Sequence, residues 1–238
     1  LIASAVFIWL LGRAFKWPKE VVGALLICVP LGNTSFFGFP MIEAFYGSDA
    51  IVYGLLYDQF GSFFGLAIYS TIIIVLYREQ DEKPTVGSVS RQILTFPPFI
   101  ALVIALLTKS FTYPEVFQRL IDSLAVTLVP VIMIAVGFQL KFRLPKGSKT
   151  PLTIGLLTKL VLMPALTIAL LFGFGFESTL VQVTVFESAM PPMITAGAVA
   201  IMAGLAPRLS AAMVGYGILF AFVSLPIVYE LLQWLSAQ

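Results

Sequence analysis

Two short stretches concentrate polar and helix-breaking residues in an otherwise apolar chain. The first holds Pro30, Gly32, Asn33, Thr34, Ser35, Gly38 and Pro40. The second runs Glu187, Ser188, Ala189, Met190, Pro191, Pro192 and continues to Thr195 and Gly197. Adjacent prolines remove two backbone donors, and the residue before a proline is pushed out of the helical region. Both stretches are therefore expected to interrupt their helices. Amide, hydroxyl and carboxylate side chains beside unwound backbone can bind a small solute. The N-terminus of a half-helix adds unpaired N–H groups and a positive dipole end, which suit an anion such as a carboxylate. A pair of proline kinks is the plainer alternative. Against it, unwound backbone at membrane depth survives only where it is buried in protein or lines a watery cavity.

Other ionisable groups in apolar surroundings are functional candidates because burying them is costly. Glu187 directly precedes the second break, and Asp58 with Gln59 lies in the apolar segment after the first. Glu187 could ligate a cation, a sodium site in particular, or carry a proton. Asp58 could face the breaks or sit near enough to the outer interface to be hydrated. Lys159 lies ~12 Å along its segment at ~1.5 Å per residue, and snorkelling to the interface is expected over a counter-ion role. Glu43 is expected at the outer surface, and Gln139 and Lys141 at a solvated helix end. Phe36, Phe37 and Phe39 could touch an apolar part of a solute, but with 21 Phe in the chain packing is the default. The absence of histidine and the single cysteine, Cys28, argue against metal hydrolysis, Ser-His chemistry and an intrachain disulfide. No enzyme activity and no cofactor beyond a coupling ion, Na+ or H+, is expected.

The elements that must position these residues are membrane helices. Over 238 residues, 59% are hydrophobic and 11% charged, against roughly 25% charged in soluble domains, and the mean hydropathy is +1.00. Apolar runs fall at 1–15, 21–46, 50–77, 93–108, 116–140, 151–174, 177–204 and 208–235, each too long for the ~10-residue strands of a membrane barrel. The expected class is an all-α polytopic membrane protein. A net charge of +2 gives no reason to expect a nucleic-acid partner.

Cytoplasmic loops are enriched in Lys and Arg. Arg13, Lys16, Lys19, Arg78, Lys83, Arg91, Lys141, Arg143, Lys146, Lys149 and Arg208 fall on one side, and Lys109 and Arg119 on the other. The first set is expected in the cytoplasm and the C-terminus outside, in a bacterial inner membrane. The polar stretch 78–92 reads as a cytoplasmic linker between 1–77 and 93–238. Each broken segment is second from the end of its part, and the two run in opposite directions. This is the pattern of inverted repeats whose broken helices meet at the midplane. Five spans per repeat would give ten, of which this chain carries eight, the first two of the first repeat being absent.

Gly32-Asn33-Thr34-Ser35-Phe36-Phe37-Gly38-Phe39-Pro40 with Phe45-Tyr46-Gly47, and Ser188-Ala189-Met190-Pro191-Pro192, resemble the auxin efflux carrier family, whose bacterial members include malonate and other organic-anion permeases. Pro97-Pro98, Pro130 with Gly137, and Lys159 with Pro164 add weaker support. The resemblance runs along the whole chain from what looks like the family's third helix. It implies two inverted five-helix repeats, similar to the bile acid sodium symporters, in which a scaffold supports a transport domain that moves like an elevator. It also implies an anion held near crossing broken helices, with Asn33, Pro40 and Pro191 or Pro192 lining the site. Thr34, Ser35, Asp58, Gln59 and Ser188 join the candidate substrate site, and Asn33 and Ser35 join Glu187 as candidate coupling-ion ligands. The bile acid symporters place an acidic residue of a crossing helix at a sodium site. The short linker implies a prokaryotic protein rather than a plant auxin carrier. The expected function is secondary transport of a small organic anion, with a receptor on the same scaffold as the alternative and a homodimer as the assembly to test.

Overall fold

The apolar runs on either side of the two breaks form helices, and the breaks form none. The computed structural model describes residues 1–77, 113–124, 148–174 and 178–237, with isolated positions 87, 100, 104, 107, 108, 111, 127 and 134. Most of the spans expected at 93–108 and 116–140, nearly all of the linker 78–92, and Pro97, Pro98, Pro130, Gly137, Gln139 and Lys141 lie outside the described residues. The chain divides into two compact units, Leu1–Glu79 with Gln139–Gln238, and Gln80–Phe138. Within the second, 115–124 is helical, with Arg119 paired to Glu115 one turn earlier.

In the first unit, α1 (Ile2–Ala14) leads to α2 (Lys19–Cys28). Pro18 sits just before α2, where its missing N–H costs nothing. From Val22 to Cys28 every residue of α2 is buried, so the part of this half-helix that leads to the break lies inside protein. The first break follows, and α3 (Gly38–Tyr46) resumes the course. Next come the long α4 (Ser48–Tyr77) and α5 (Lys149–Gly173). The second broken segment is α6 (Thr179–Ser188) and α7 (Ile194–Met202), and α8 (Pro207–Ser236) closes the unit. Helices α4, α5 and α8, of 30, 25 and 30 residues, are long and apolar enough to cross a membrane. No named strand occurs among the described residues.

Large apolar side chains face outward along these helices, including Phe60, Met202 and Val223. Such a surface would be an aggregation liability in water and is the expected one in lipid. The interior is held by Ile27, Leu31, Phe186, Met190, Met213 and Ile218, all essentially inaccessible. Close approach of helices is bought with small residues. The position where a Cβ on Gly217 of α8 would sit lies 2.4 Å from Cδ of Pro192, so α8 rests directly on the second break.

Neither α4 nor α5 is regular throughout. Wide, π-type turns occupy Asp58–Phe63 and Gly65–Tyr69 in α4 and Thr158–Leu162 in α5. Such bulges insert a residue into the ladder and re-aim side chains. Here they begin at Asp58 and enclose Lys159, two of the ionisable groups singled out by the sequence.

Candidate functional site

Pro30 has no N–H to continue the ladder of α2, and Pro191 and Pro192 supply none after α6. Buried backbone groups must nevertheless be paired. The breaks solve this for each other: Asn33 N–H donates to the Pro191 carbonyl at 2.8 Å, and Met193 N–H donates to the Leu31 carbonyl at 2.9 Å. Gly32 and Pro192 thereby form one antiparallel bridge between two otherwise helical segments. The candidates Asn33, Thr34, Pro191 and Pro192 are brought together by this pairing, and all four are buried. Pro40 falls in the first turn of α3 and is half-buried. The remaining ends of α2 and α6 are held by side chains from the long helices. Tyr69 donates its hydroxyl to the Leu26 carbonyl at 2.7 Å, and Lys159 Nζ donates to the Ser188 carbonyl at 3.2 Å.

Lys159 corrects the expectation of snorkelling. It is only 4% exposed, and its ammonium sits at the C-terminus of α6, where a cation meets the negative end of the helix dipole and an orphan carbonyl. Asp58 is likewise buried rather than hydrated at the interface. Thr34 Oγ1 donates to Asp58 Oδ1 at 2.5 Å and Gln59 Nε2 donates to Oδ2 at 3.0 Å. Asp58 therefore ties α4 to the first break. Ser188 does not present a free hydroxyl, because its Oγ donates to the Val185 carbonyl of its own helix at 2.6 Å.

Glu187 and Asn33 differ from these. Both are fully inaccessible, and among the described residues neither carboxylate oxygen of Glu187 nor either amide atom of Asn33 has a hydrogen-bond partner. An orphaned buried polar group costs ~1–3 kcal/mol, and two of them lie on the mutually bonded breaks. Asp58 and Lys159 are the charged neighbours of Glu187. Its carboxylate reaches the N-terminal residue of α3: Oε1 and Oε2 lie 2.8 and 2.9 Å from where a Cβ on Gly38 would be, and Oε1 lies 3.0 Å from the equivalent point on Gly54. These two glycines form a cradle that the sequence reading missed. Gly54, alone in the apolar first turns of α4, was the available signal. Of the phenylalanines at the first break, Phe37 is buried and packs edge-on against Phe222 of α8, whereas Phe36 is exposed. Glu43 is exposed, as expected.

No group of three or more His, Cys, Asp or Glu that could hold a metal occurs among the described residues. A separate apolar groove of about 480 Å³ between α5 and α8, lined by Leu152, Leu156, Leu160, Tyr216 and Phe220 with Lys149, includes none of the break residues.

The chain is similar along most of its length to proteins of one kind. An uncharacterized transporter of Methanothermobacter thermautotrophicus is 24% identical over 229 residues, covering 95% of this chain and 73% of that protein. An uncharacterized transporter of Methanocaldococcus jannaschii is 24% identical over 195 residues, covering 78% of this chain and 61% of that protein. The family model for "membrane transport protein" matches residues 1–229, which is nearly the whole chain and includes both breaks. This is a class of transporters, not of enzymes. The chain belongs to that membrane transport protein family, the family of the auxin efflux carriers.

Proposed function

We propose that the protein is a secondary active transporter of a small organic anion, such as a carboxylate, which binds where the two broken helices meet. The observation that supports this reading is the pair of breaks that bond each other's backbone while the side chains of Asn33 and Glu187 have no hydrogen-bond partner among the described residues. A stability-driven fold would pair or replace such groups. The starts of α3 and α7 offer positive dipole ends for a carboxylate, and Asn33 offers an amide donor. Asn33, Thr34, Ser35, Pro40, Pro191 and Pro192 line the anion site. Glu187, with Asp58 as its neighbour, is the coupling-ion site.

In this reading the broken helices belong to two inverted five-helix repeats, and the domain that carries them moves as an elevator against a scaffold. The chain is set in a prokaryotic plasma membrane with Lys149 and Arg208 inside and the end of α8 outside.

The test is uptake by proteoliposomes containing the full-length protein, over a panel of labelled mono- and dicarboxylates, with sodium and proton gradients imposed separately. Saturable uptake of at least one carboxylate under one gradient is expected. No anion-dependent flux under any gradient would sink the reading.

A further inference from the structure

Three buried groups near the breaks carry formal charge, Asp58, Lys159 and Glu187, and their surroundings differ in kind. Both oxygens of Asp58 accept side-chain hydrogen bonds, from Thr34 and Gln59. The Lys159 ammonium has the Ser188 carbonyl. Glu187 has no donor for either oxygen among the described residues, so nothing there compensates an ionised form by hydrogen bonding. The groups that face it are Asp58 and Tyr57 from α4 and Lys159 from α5. With Asp58 and Glu187 both ionised, the cluster carries one net negative charge beside Lys159. It is neutral when Glu187 has taken up one positive ion.

The glycine cradle decides which ion. Hard cations gather several oxygen ligands around themselves, and that needs room on the open side of the carboxylate. Oε1 of Glu187 instead lies 2.8 and 3.0 Å from the points that Cβ atoms on Gly38 and Gly54 would occupy, so it packs against the bare backbone of two different helices. The nearby oxygens of Asp58 are already engaged by Thr34 and Gln59. A proton needs one oxygen and no coordination shell.

We propose that Glu187 is the proton-binding site of the transport cycle and that the coupling ion is H+ rather than Na+. Proton uptake forms one O–H bond on a Glu187 carboxylate oxygen and neutralises the cluster, leaving Asp58 and Lys159 unchanged. When movement of the broken helices opens the site to water, that O–H bond breaks and the proton passes to a water molecule. This rests on the transporter reading, but the proton site can be observed without transport. The experiment is infrared difference spectroscopy of the full-length protein in lipid, following the carbonyl-stretch band of a protonated carboxylic acid as pH is varied. A titrating band is expected in the wild type, absent in Glu187→Gln, retained in Asp58→Asn, and unaffected by replacing potassium with sodium. Should Glu187→Gln fail to fold, Glu187→Asp shortens the side chain out of the cradle and is expected to shift the same band. The proposal is overturned by a band that survives unshifted in the Glu187 variants, by no titrating band in the wild type, or by a band that sodium abolishes at constant pH. A protein that has the band yet moves no carboxylate would contradict the transporter reading alone.

Discussion

Lys159 shows what a residue's neighbours decide that its sequence position does not. A lysine ~12 Å into an apolar helix is equally compatible with reaching the interface or turning inward. Its acceptor, the carbonyl of Ser188, lies 29 positions later in a different helix. Because it caps α6 and offsets the charge of its acidic neighbours, Lys159→Met is expected to cost about 3–5 kcal/mol of stability. Combining it with Glu187→Gln is expected to recover a large part of that loss, because the variant then leaves one fewer buried charge uncompensated. Thermal unfolding of the four proteins in detergent checks this. A loss within ~0.5 kcal/mol for Lys159→Met, the range of a surface change, would return it to a snorkelling role. Thr34→Val should also destabilise, by about 1.5–3 kcal/mol, since it strips a charged acceptor of its donor. By contrast, Gly32, Pro191 and Pro192 were readable from sequence as break residues, because proline and glycine act on the backbone wherever they stand.

At the level of elements, the breaks and the helices around them were legible for the same reason. The apolar runs 50–77, 151–174 and 208–235 correspond closely to Ser48–Tyr77, Lys149–Gly173 and Pro207–Ser236. The wide turns in α4 and α5 were not legible. A π-type turn shifts the hydrogen-bond spacing by one residue without any distinctive composition, and in a helix apolar on all sides there is no polar face whose phase would reveal the slip. Nor did the sequence reveal that the breaks bond each other, because that pairing joins residues far apart in the chain. The seating of α8 on the second break makes a further prediction. Gly217→Ala places a methyl 2.4 Å from Cδ of Pro192, whose ring cannot swing away, so an overpacking cost of about 1–3 kcal/mol is expected. The companion change Gly204→Ala meets no atom within 4 Å but sits at a φ of +77°, so its cost should come from backbone strain alone. Unfolding temperatures, with uptake measured in parallel, separate the two: Gly217→Ala should impair both, Gly204→Ala chiefly stability.

For the whole molecule, the orientation proposed from the asymmetry of Lys and Arg between the loops is directly measurable. With Cys28 buried, single cysteines can be read by a membrane-impermeant maleimide applied to intact cells. Ala237→Cys is expected to label from outside, and Lys149→Cys only after the membrane is permeabilised. The reverse pattern would invert the protein and with it the sense of the proposed transport cycle. The proposed function depends at this scale on an anion site at the two breaks, and Asn33 is the side chain that tests it best. Its side chain makes no hydrogen bond among the described residues, so removing the amide should leave the fold largely intact while depriving a bound carboxylate of a donor. The most direct measurement is the initial rate of carboxylate uptake by full-length wild type and Asn33→Ala in matched proteoliposomes. A charge-assisted hydrogen bond of about 1.5–3 kcal/mol predicts roughly a ten- to hundredfold lower rate at low substrate concentration for a variant of unchanged unfolding temperature. Equal rates in the two proteins would contradict an anion site at the paired breaks.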